Sequence, residues 1–297
     1  MKSKLILLTG ATGYLGSRLL QELLKSDFRV QAITRTQSRM PKALQIRSHD
    51  LLAPLIWNFH AQKPANEMHL AGPIHSIIHC AADYGHGASY EQVHKANFDF
   101  ATQIFTWGEK LGMKNFVNAG TSLPPEVNAY AETKSRFVDF LRKQTSTQTI
   151  HLVLENFFGP EDSPKKFVTW LIRELLSERV RIPLTAGEQI RNFIPIDDVV
   201  SAFISALKLP YQVGFQQWHV RSLESMSIRT LTELVCDLCE KNRQVLGFGD
   251  LAYRSHEPLF VRNDIPQFPI EIWQGRTKIS EALKATIADE KLRRKNL

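Results

Sequence analysis

The sequence predicts an α/β fold, a doubly wound parallel sheet followed by a smaller C-terminal α/β lobe. Three observations carry that expectation. Residues 4–20, KLILLTGATGYLGSRLL, run from a short apolar stretch through three spaced glycines into an amphipathic segment without a linker. Further compact apolar runs at 28–34, 77–82 and 115–119 are separated by segments of helical period. From about residue 161 the chain changes to an apolar helix pattern, KKFVTWLIRELLSERV, and then to shorter pieces, which reads as a substrate lobe built around the sheet. Residues 1–160 are therefore expected to form a Rossmann-type nucleotide domain and 161–297 mainly a second lobe, with segments around 190–220 returning to the first.

The glycine turn is the organising element. Gly10 lets the chain leave the strand tightly, Gly13 lets backbone approach a diphosphate, and Gly16 lets the helix pack close on the sheet. Gly10, Thr12, Gly13, Tyr14, Leu15 and Gly16 thus form a candidate cradle, with free N–H groups and a positive dipole end at the helix start. A helix over 17–26 leads into a strand over 28–34. Where that strand ends, NAD-selecting sites usually offer Asp or Glu to the ribose, whereas this chain has Thr34 followed by Arg35 and Arg39. An arginine can pair bidentately with a 2′-phosphate, which points to NADP, with NAD left open; a solvent-facing loop arginine is the plainer alternative.

Residues 41–70 are interrupted by Pro41, Pro54 and Pro64; a short helix is expected within LLAPLIWNFH, and Asp50-Leu51 stands where the next strand would end. Ile77–Ala82 reads as a compact strand whose small terminal residues, Ala81 and Ala82, permit a flat cofactor to lie against backbone. His79 reads as a core histidine. A long helix is expected over 90–111 and a strand over 115–119. That strand ends at Gly120-Thr121-Ser122, and Tyr130-Ala-Glu-Thr-Lys134 follows at the head of a helix. Residues four apart share a helix face, so Lys134 is expected beside Tyr130, its ammonium lowering the phenol pKa toward the working range. Tyr130 can then exchange a proton with a substrate hydroxyl while Thr121 holds the same oxygen.

In the second half, Lys165 and Lys166 read as solvated. Arg191 leads the run Phe193-Ile-Pro-Ile-Asp-Asp, where its guanidinium could meet a diphosphate, and Asp197-Asp198 begin a helix that capping explains in part. The formal charge of +7 arises from 37 basic and 30 acidic side chains that are interspersed, which fits anionic small molecules or a plainly basic surface and gives no nucleic-acid arm. Cys80, Cys236 and Cys239 form no disulfide framework; the last two, inside LTELVCDLCEK, read as buried helical cysteines and not as half of a zinc site. No metal cluster, signal peptide or membrane-length apolar run is seen, so a cytoplasmic enzyme is expected, with room for a homodimer.

These residues resemble the extended short-chain dehydrogenase/reductase family of nucleotide-sugar epimerases, dehydratases and reductases. TGATGYLG is similar to the family's glycine motif, Asp50-Leu51 to its adenine-contacting pair, HCAA to its fourth-strand motif, Asn97 to the asparagine of its central helix, and YAETK to its Tyr/Lys motif. ENFFGPED (155–162) and RNFIPIDDVVSAF (191–203) resemble two further segments, so the likeness covers at least residues 4–203. Within the family the chain is most similar to reductases of nucleotide-linked 4-keto sugars, through VQAITR, IIHCAADYGH, GEQIRNFIPIDDVV and a C-terminal stretch with Arg254 and Glu257.

The resemblance implies catalytic roles for Thr121, Tyr130 and Lys134 and cofactor contacts from Asp50, Leu51, Ala81, Ala82, Asn97 and Phe157. It places Glu155, Asn156 and Phe157 near the nicotinamide. Substrate contacts are implied for Tyr84, Thr121, Ser122, Asn156, Arg191 and Arg254. The implied activity is NADPH-dependent reduction of a nucleotide-linked 4-keto-6-deoxyhexose in deoxysugar or O-antigen precursor synthesis. Alternatives are an epimerase or dehydratase with bound NAD, and a non-catalytic dinucleotide-binding regulator. Two departures stand out: only nine positions separate Thr121 from Tyr130, and Arg221 occupies an expected glycine.

Overall fold

The computed structural model describes residues 4–26, 28–35, 51–57, 63–65, 67–254, 257–260 and 264–295. It divides into two compact units, Met1–Val153 with Val200–His219, and Leu154–Val199 with Val220–Leu297. The chain runs β1 (Lys4–Thr9), α1 (Tyr14–Lys25), β2 (Phe28–Thr34), β3 (Leu51–Ile56), β4 (Ile74–His79), α2 (Tyr90–His94), a π-helical turn Lys95–Asp99, α3 (Phe100–Lys110), β5 (Asn115–Ala119), α4 (Ala129–Arg142) and β6 (Gln148–Leu154). It continues through β7 (Asn156–Phe158), α5 (Phe167–Leu175), β8 (Ile182–Leu184), β9 (Ile190–Pro195), α6 (Ile196–Ala206), β10 (Gly214–Val220), β11 (Ser225–Ser227), α7 (Ile228–Leu238), β12 (Leu246–Phe248) and α8 (Ile279–Lys295).

In the first unit seven strands form one sheet in the order β10-β6-β5-β4-β1-β2-β3, a Rossmann-type arrangement with parallel pairing from β3 through to β6. The order reverses beside β1, the place where open α/β sheets bind ligands beyond their carboxyl ends. β1 is buried from Leu5 onward, as a strand covered on both faces must be. Phe100, Ile104, Phe105 and Phe137 pack with Trp57, Ile77 and Phe116 into the core that seats α3 and α4 on the sheet.

Two expectations fail here for local reasons. Residues 51–56 form a strand and not a short helix, and Leu51 opens it instead of following one. Pro54 is tolerated because β3 is the sheet's edge, at an irregular step in its pairing with β2 between Gln31 and Ile33. Buried Gln31 stitches the region by donating its side-chain amide to the carbonyls of Ala53 and His69, both at 2.9 Å. The helix expected over 90–111 is present but breaks into a π-turn at its middle, and Asn97 lies in that turn.

The second unit has a three-stranded sheet, β11-β9-β7, and a two-stranded one, β12-β8. Its core gathers Leu171, Ile172, Leu231, Val235 and Leu283 from α5, α7 and α8. Cys236 lies in α7 and Cys239 caps it, both buried in that core with thiols pushed up by burial.

Candidate active site

The glycine turn is a cradle set by sterics. Gly10 has φ +70°, and a Cβ there would sit 2.7 Å from the Ala81 nitrogen and from the Cys80 carbonyl carbon. A Cβ on Gly16 would overlap the Gly10 carbonyl. Gly13 donates to the Gly10 carbonyl at 2.9 Å and caps α1 with no side chain of its own, and the first turn carries no acidic residue. The positive end of α1 is therefore left open to an anion, and the residues present fit a dinucleotide's diphosphate. Arg18 lies over the Tyr14 ring at 4.4 Å, while Thr12 and Gly13 are exposed and Leu15 is buried. At the end of β2 the Thr34 hydroxyl is buried with no hydrogen-bond partner, and Arg35 is exposed. Arg39 and Asp50 lie outside the described residues. Leu51 pairs with Val30, four residues short of Thr34, which pairs with Ile56.

Beneath the carboxyl edge runs a row of polar side chains in strand register: Thr9 opposite His79, His79 opposite Asn118, Asn118 opposite His151. The Thr9 hydroxyl lies 2.9 Å from His79 Nδ1 and accepts from the backbone N–H groups of Cys80 and Ala81, both at 3.2 Å. It thereby fixes the start of the loop carrying Ala81 and Ala82. Asn118 Nδ2 lies 2.7 Å from His151 Nδ1. Burial and the Lys134 charge hold His79 well below the usual histidine range and bring His151 down to about 3, so both rings are neutral. His79 is the core residue the sequence suggests. The sequence reading does not single out Thr9, Asn118 and His151; their signal is a polar residue at the end of β1, next to the end of β5 and in the middle of β6, inside largely apolar runs.

Asn97, 1% exposed, braces the same loop by accepting from the Asp83 N–H and donating to the Asp83 carbonyl, both at 2.8 Å, and to the Thr133 hydroxyl on α4 at 3.2 Å. Asn128 caps α4 by accepting from the Ala131 N–H at 2.9 Å. Tyr130 and Lys134 follow on that helix, both buried, and Thr121 hydrogen-bonds the Tyr130 phenol. Tyr84 lies over Tyr130 with ring centroids 4.9 Å apart at 30°. Ser122 is half-buried beside Thr121.

The electrostatics differ from the sequence expectation. Burial pushes the Tyr130 phenol well above the usual tyrosine range, the Tyr84 phenol adds to this, and the Thr121 hydrogen bond opposes it only in part. Lys134 is itself brought down to about 8 by burial, opposed by Cys80, whose thiol burial pushes up to about 12. The desolvation common to both members of the pair outweighs the help expected from the lysine. Tyr130 is thus a neutral phenol, a proton donor.

In the second unit, Asn156 is exposed and donates weakly to the Asn192 carbonyl at 3.4 Å, Glu155 is buried, and Phe157 is half-buried under the Lys166 ammonium at 3.9 Å. Lys166 also pairs with the buried Asp162 at 3.1 Å, so it is anchored and not simply solvated. Arg191 donates to the Ile190 carbonyl at 2.9 Å and to Glu257 at 2.7 Å. Arg254 is exposed, and Arg221 donates to Ser225 at 3.1 Å. Asn192 accepts from the Ser222 N–H at 2.8 Å and donates to the carbonyls of Ser222 and Glu224 at 3.0 Å, holding the turn that carries Arg221. Among the described residues no group of three His, Cys, Asp or Glu could hold a metal, and no helix is long and apolar enough to cross a membrane.

The family model for the NAD dependent epimerase/dehydratase family matches residues 6–215. A CDP-abequose synthase of Salmonella typhimurium is 26% identical over 269 residues, 86% of this chain and 88% of that protein. The CDP-abequose synthase of Yersinia pseudotuberculosis is 25% identical over 296 residues, 95% of this chain and 99% of that protein. Among solved structures, a UDP-glucuronic acid 4-epimerase from Bacillus cereus in complex with NAD superposes with a TM-score of 0.80 at 21% identity, covering 99% of this chain and 98% of that one.

Proposed function

Because the chain belongs to the NAD dependent epimerase/dehydratase family, we propose that it is an enzyme that modifies the sugar of a nucleotide-sugar by redox chemistry at a secondary alcohol or ketone carbon. The observation carrying this reading is the first unit's arrangement of Thr121, Tyr130 and Lys134 at the carboxyl edge of the sheet that bears the glycine cradle. A bound nicotinamide dinucleotide would supply hydride chemistry at the sugar carbon. The Gly10–Gly16 turn and the α1 N-terminus would hold its diphosphate, and Lys134 would hold a ribose. Tyr130 gives its proton to the sugar oxygen, and Thr121 bonds the same oxygen and steadies the charge that develops there.

The finer reading is net reduction of the 4-keto group of a nucleotide-linked 4-keto-6-deoxyhexose, with NADPH as donor and Arg35 on its 2′-phosphate. Two things support it: likeness to CDP-abequose synthases across most of the chain, and a Tyr130 kept protonated, as reduction requires. A second reading is epimerisation or dehydration with NAD retained through the cycle. The family description speaks for it more directly, as does the fold likeness to a 4-epimerase with NAD. Under either reading Arg191 is the candidate for the substrate's diphosphate, with Asn156 and Phe157 on β7, the strand paired with the β9 that carries it. Turnover of nucleotide-4-keto sugars with NADPH or NADH decides between them. Nicotinamide oxidation in step with product supports reduction; product formed without net oxidation supports the second reading.

A further inference from the structure

We propose that His151 is a positioning residue for Thr121 and acts through Gly120. The role rests on the reading in which Thr121 bonds the sugar oxygen beside Tyr130. β5 ends at Ala119, whose pairing with Leu152 is the last in its ladder with β6, so Gly120 and Thr121 lie beyond the strand. Something other than that ladder has to set where the Thr121 hydroxyl points.

Gly120 is held from two sides. Its N–H donates to the Leu152 carbonyl at 2.7 Å, and a Cβ built on it would stand 2.4 Å from both Cε1 and Nε2 of His151. The outer edge of the imidazole is thus a wall on which the backbone rests with no room for a side chain. The ring is fixed in turn by its own neighbours. Asn118 Nδ2 donates to His151 Nδ1 at 2.7 Å, and Phe215 of β10 stacks on the ring with centroids 6.1 Å apart at 27°. His151 is 3% exposed and Asn118 0%, so neither has solvent to move into. Burial and the Lys134 charge keep the ring neutral, and it acts by shape and not by charge.

Thr121 follows directly on this clamp. It hydrogen-bonds the Tyr130 phenol, and its hydroxyl also accepts from the Leu123 N–H at 3.2 Å. A shift of Gly120 toward the ring carries the Thr121 hydroxyl with it, and a misplacement of about 1 Å can cost roughly a hundredfold in rate.

Two substitutions separate the wall from the bond. His151→Asn can still accept from Asn118 but has no atoms where Cε1 and Nε2 meet Gly120. His151→Phe keeps a ring there and leaves the buried Asn118 amide without its acceptor, so it is expected to be the less stable of the two. A residue that only supports the fold would make H151F the worse variant in every readout. In protein carrying tyrosine labelled with carbon-13 at Cζ, the Tyr130 line, identified by its loss in Y130F, reports the hydrogen bond from Thr121, and T121V marks where the line lies without it. H151N is expected to move the line to the T121V position, as is H151A, which lacks both wall and acceptor; H151F is expected to leave it near its wild-type place. A wild-type line in H151N and H151A, or a line moved as far in H151F, overturns the proposal. In turnover, H151N is expected to lower kcat by roughly tenfold to a hundredfold with KM and dinucleotide affinity unchanged, and T121V should add little in the H151N background. Losses that multiply in the double variant, or a loss confined to KM, overturn it as well. Should the wild type turn over no nucleotide-sugar while the lines behave as expected, the redox reading fails and the positioning of Thr121 stands.

Discussion

The two units place their polar side chains by different means. In the first, the candidate catalytic groups are positioned by neutral contacts and by exclusion of Cβ atoms: Thr9 and Asn97 fix the loop after β4, Gly10 and Gly16 interlock, and Asn128 caps the helix bearing Tyr130 and Lys134. Among the described residues its buried cation, Lys134, forms no ion pair with a carboxylate and is shifted by burial. In the second, cations are held by carboxylates: Arg191 by Glu257, Lys166 by Asp162, Arg173 by Glu290. A group held by sterics and neutral bonds keeps its charge available to a ligand. A group held by an opposite charge has to exchange one partner for another, which narrows what a ligand gains.

The largest expected effect lies in the first unit. Tyr130→Phe preserves the ring packed under Tyr84 and removes the proton donor, so kcat should fall by about 10²-fold or more while dinucleotide affinity stays level. Steady-state rates on the best nucleotide-4-keto sugar, alongside the dinucleotide dissociation constant, check this. A rate within a few-fold of the wild type would break the assignment of Tyr130 and with it the contrast between the units.

Arg35 tests the first unit's edge, where a cation is exposed and not buried. If it meets a 2′-phosphate, Arg35→Asp should reduce affinity for NADPH relative to NADH by roughly tenfold to a hundredfold, the range for a hydrogen bond to a charged group. Binding titrations with both nucleotides decide it, and an unchanged ratio removes NADP selection from this residue.

How far the sequence reaches follows the same division. The strands over 28–34 and 115–119 and the glycine turn were legible because buried parallel strands are short apolar runs and the turn's chemistry is local. β3 was not legible, since Pro54 reads as a breaker until its edge position is known. The pairing of Tyr130 with Lys134 followed from helix period, but the direction of the tyrosine's shift did not, because it depends on how deeply both are buried. In the second unit Arg191 was legible as a residue type, whereas its partner Glu257 is 66 positions away and only the fold brings them together.

Protonation gives a graded test. Lys134 is charged below about 8 and loses its proton as pH rises through that value. Tyr130, raised above the usual range, stays a donor throughout. The alkaline limb of kcat/KM therefore belongs to Lys134: activity should hold up to about pH 8 and then decline by up to about tenfold per pH unit. A profile flat to about pH 10, near the ordinary lysine value, would mean that the buried amine is not required in its charged form.

The smallest effect is expected where an ion pair competes with substrate. Arg191 and Glu257 meet at 2.7 Å with side chains 16% and 24% exposed, so the pair is partly screened and its net worth is modest. Glu257→Gln keeps the shape and an accepting oxygen but removes the competing charge, and the bond from Arg191 to the Ile190 carbonyl still orients the guanidinium. If Arg191 receives the substrate's diphosphate, the freed charge should lower KM for the nucleotide-sugar by up to roughly fivefold, the factor matching about 1 kcal/mol, with KM for the dinucleotide unchanged. Arg191→Gln should raise the same KM and leave nothing for Glu257→Gln to improve in the double variant. A rise in KM for Glu257→Gln alone would show that Glu257 sets the arginine's position and does not compete for it. The second unit would then work as the first does, by fixing a group in place.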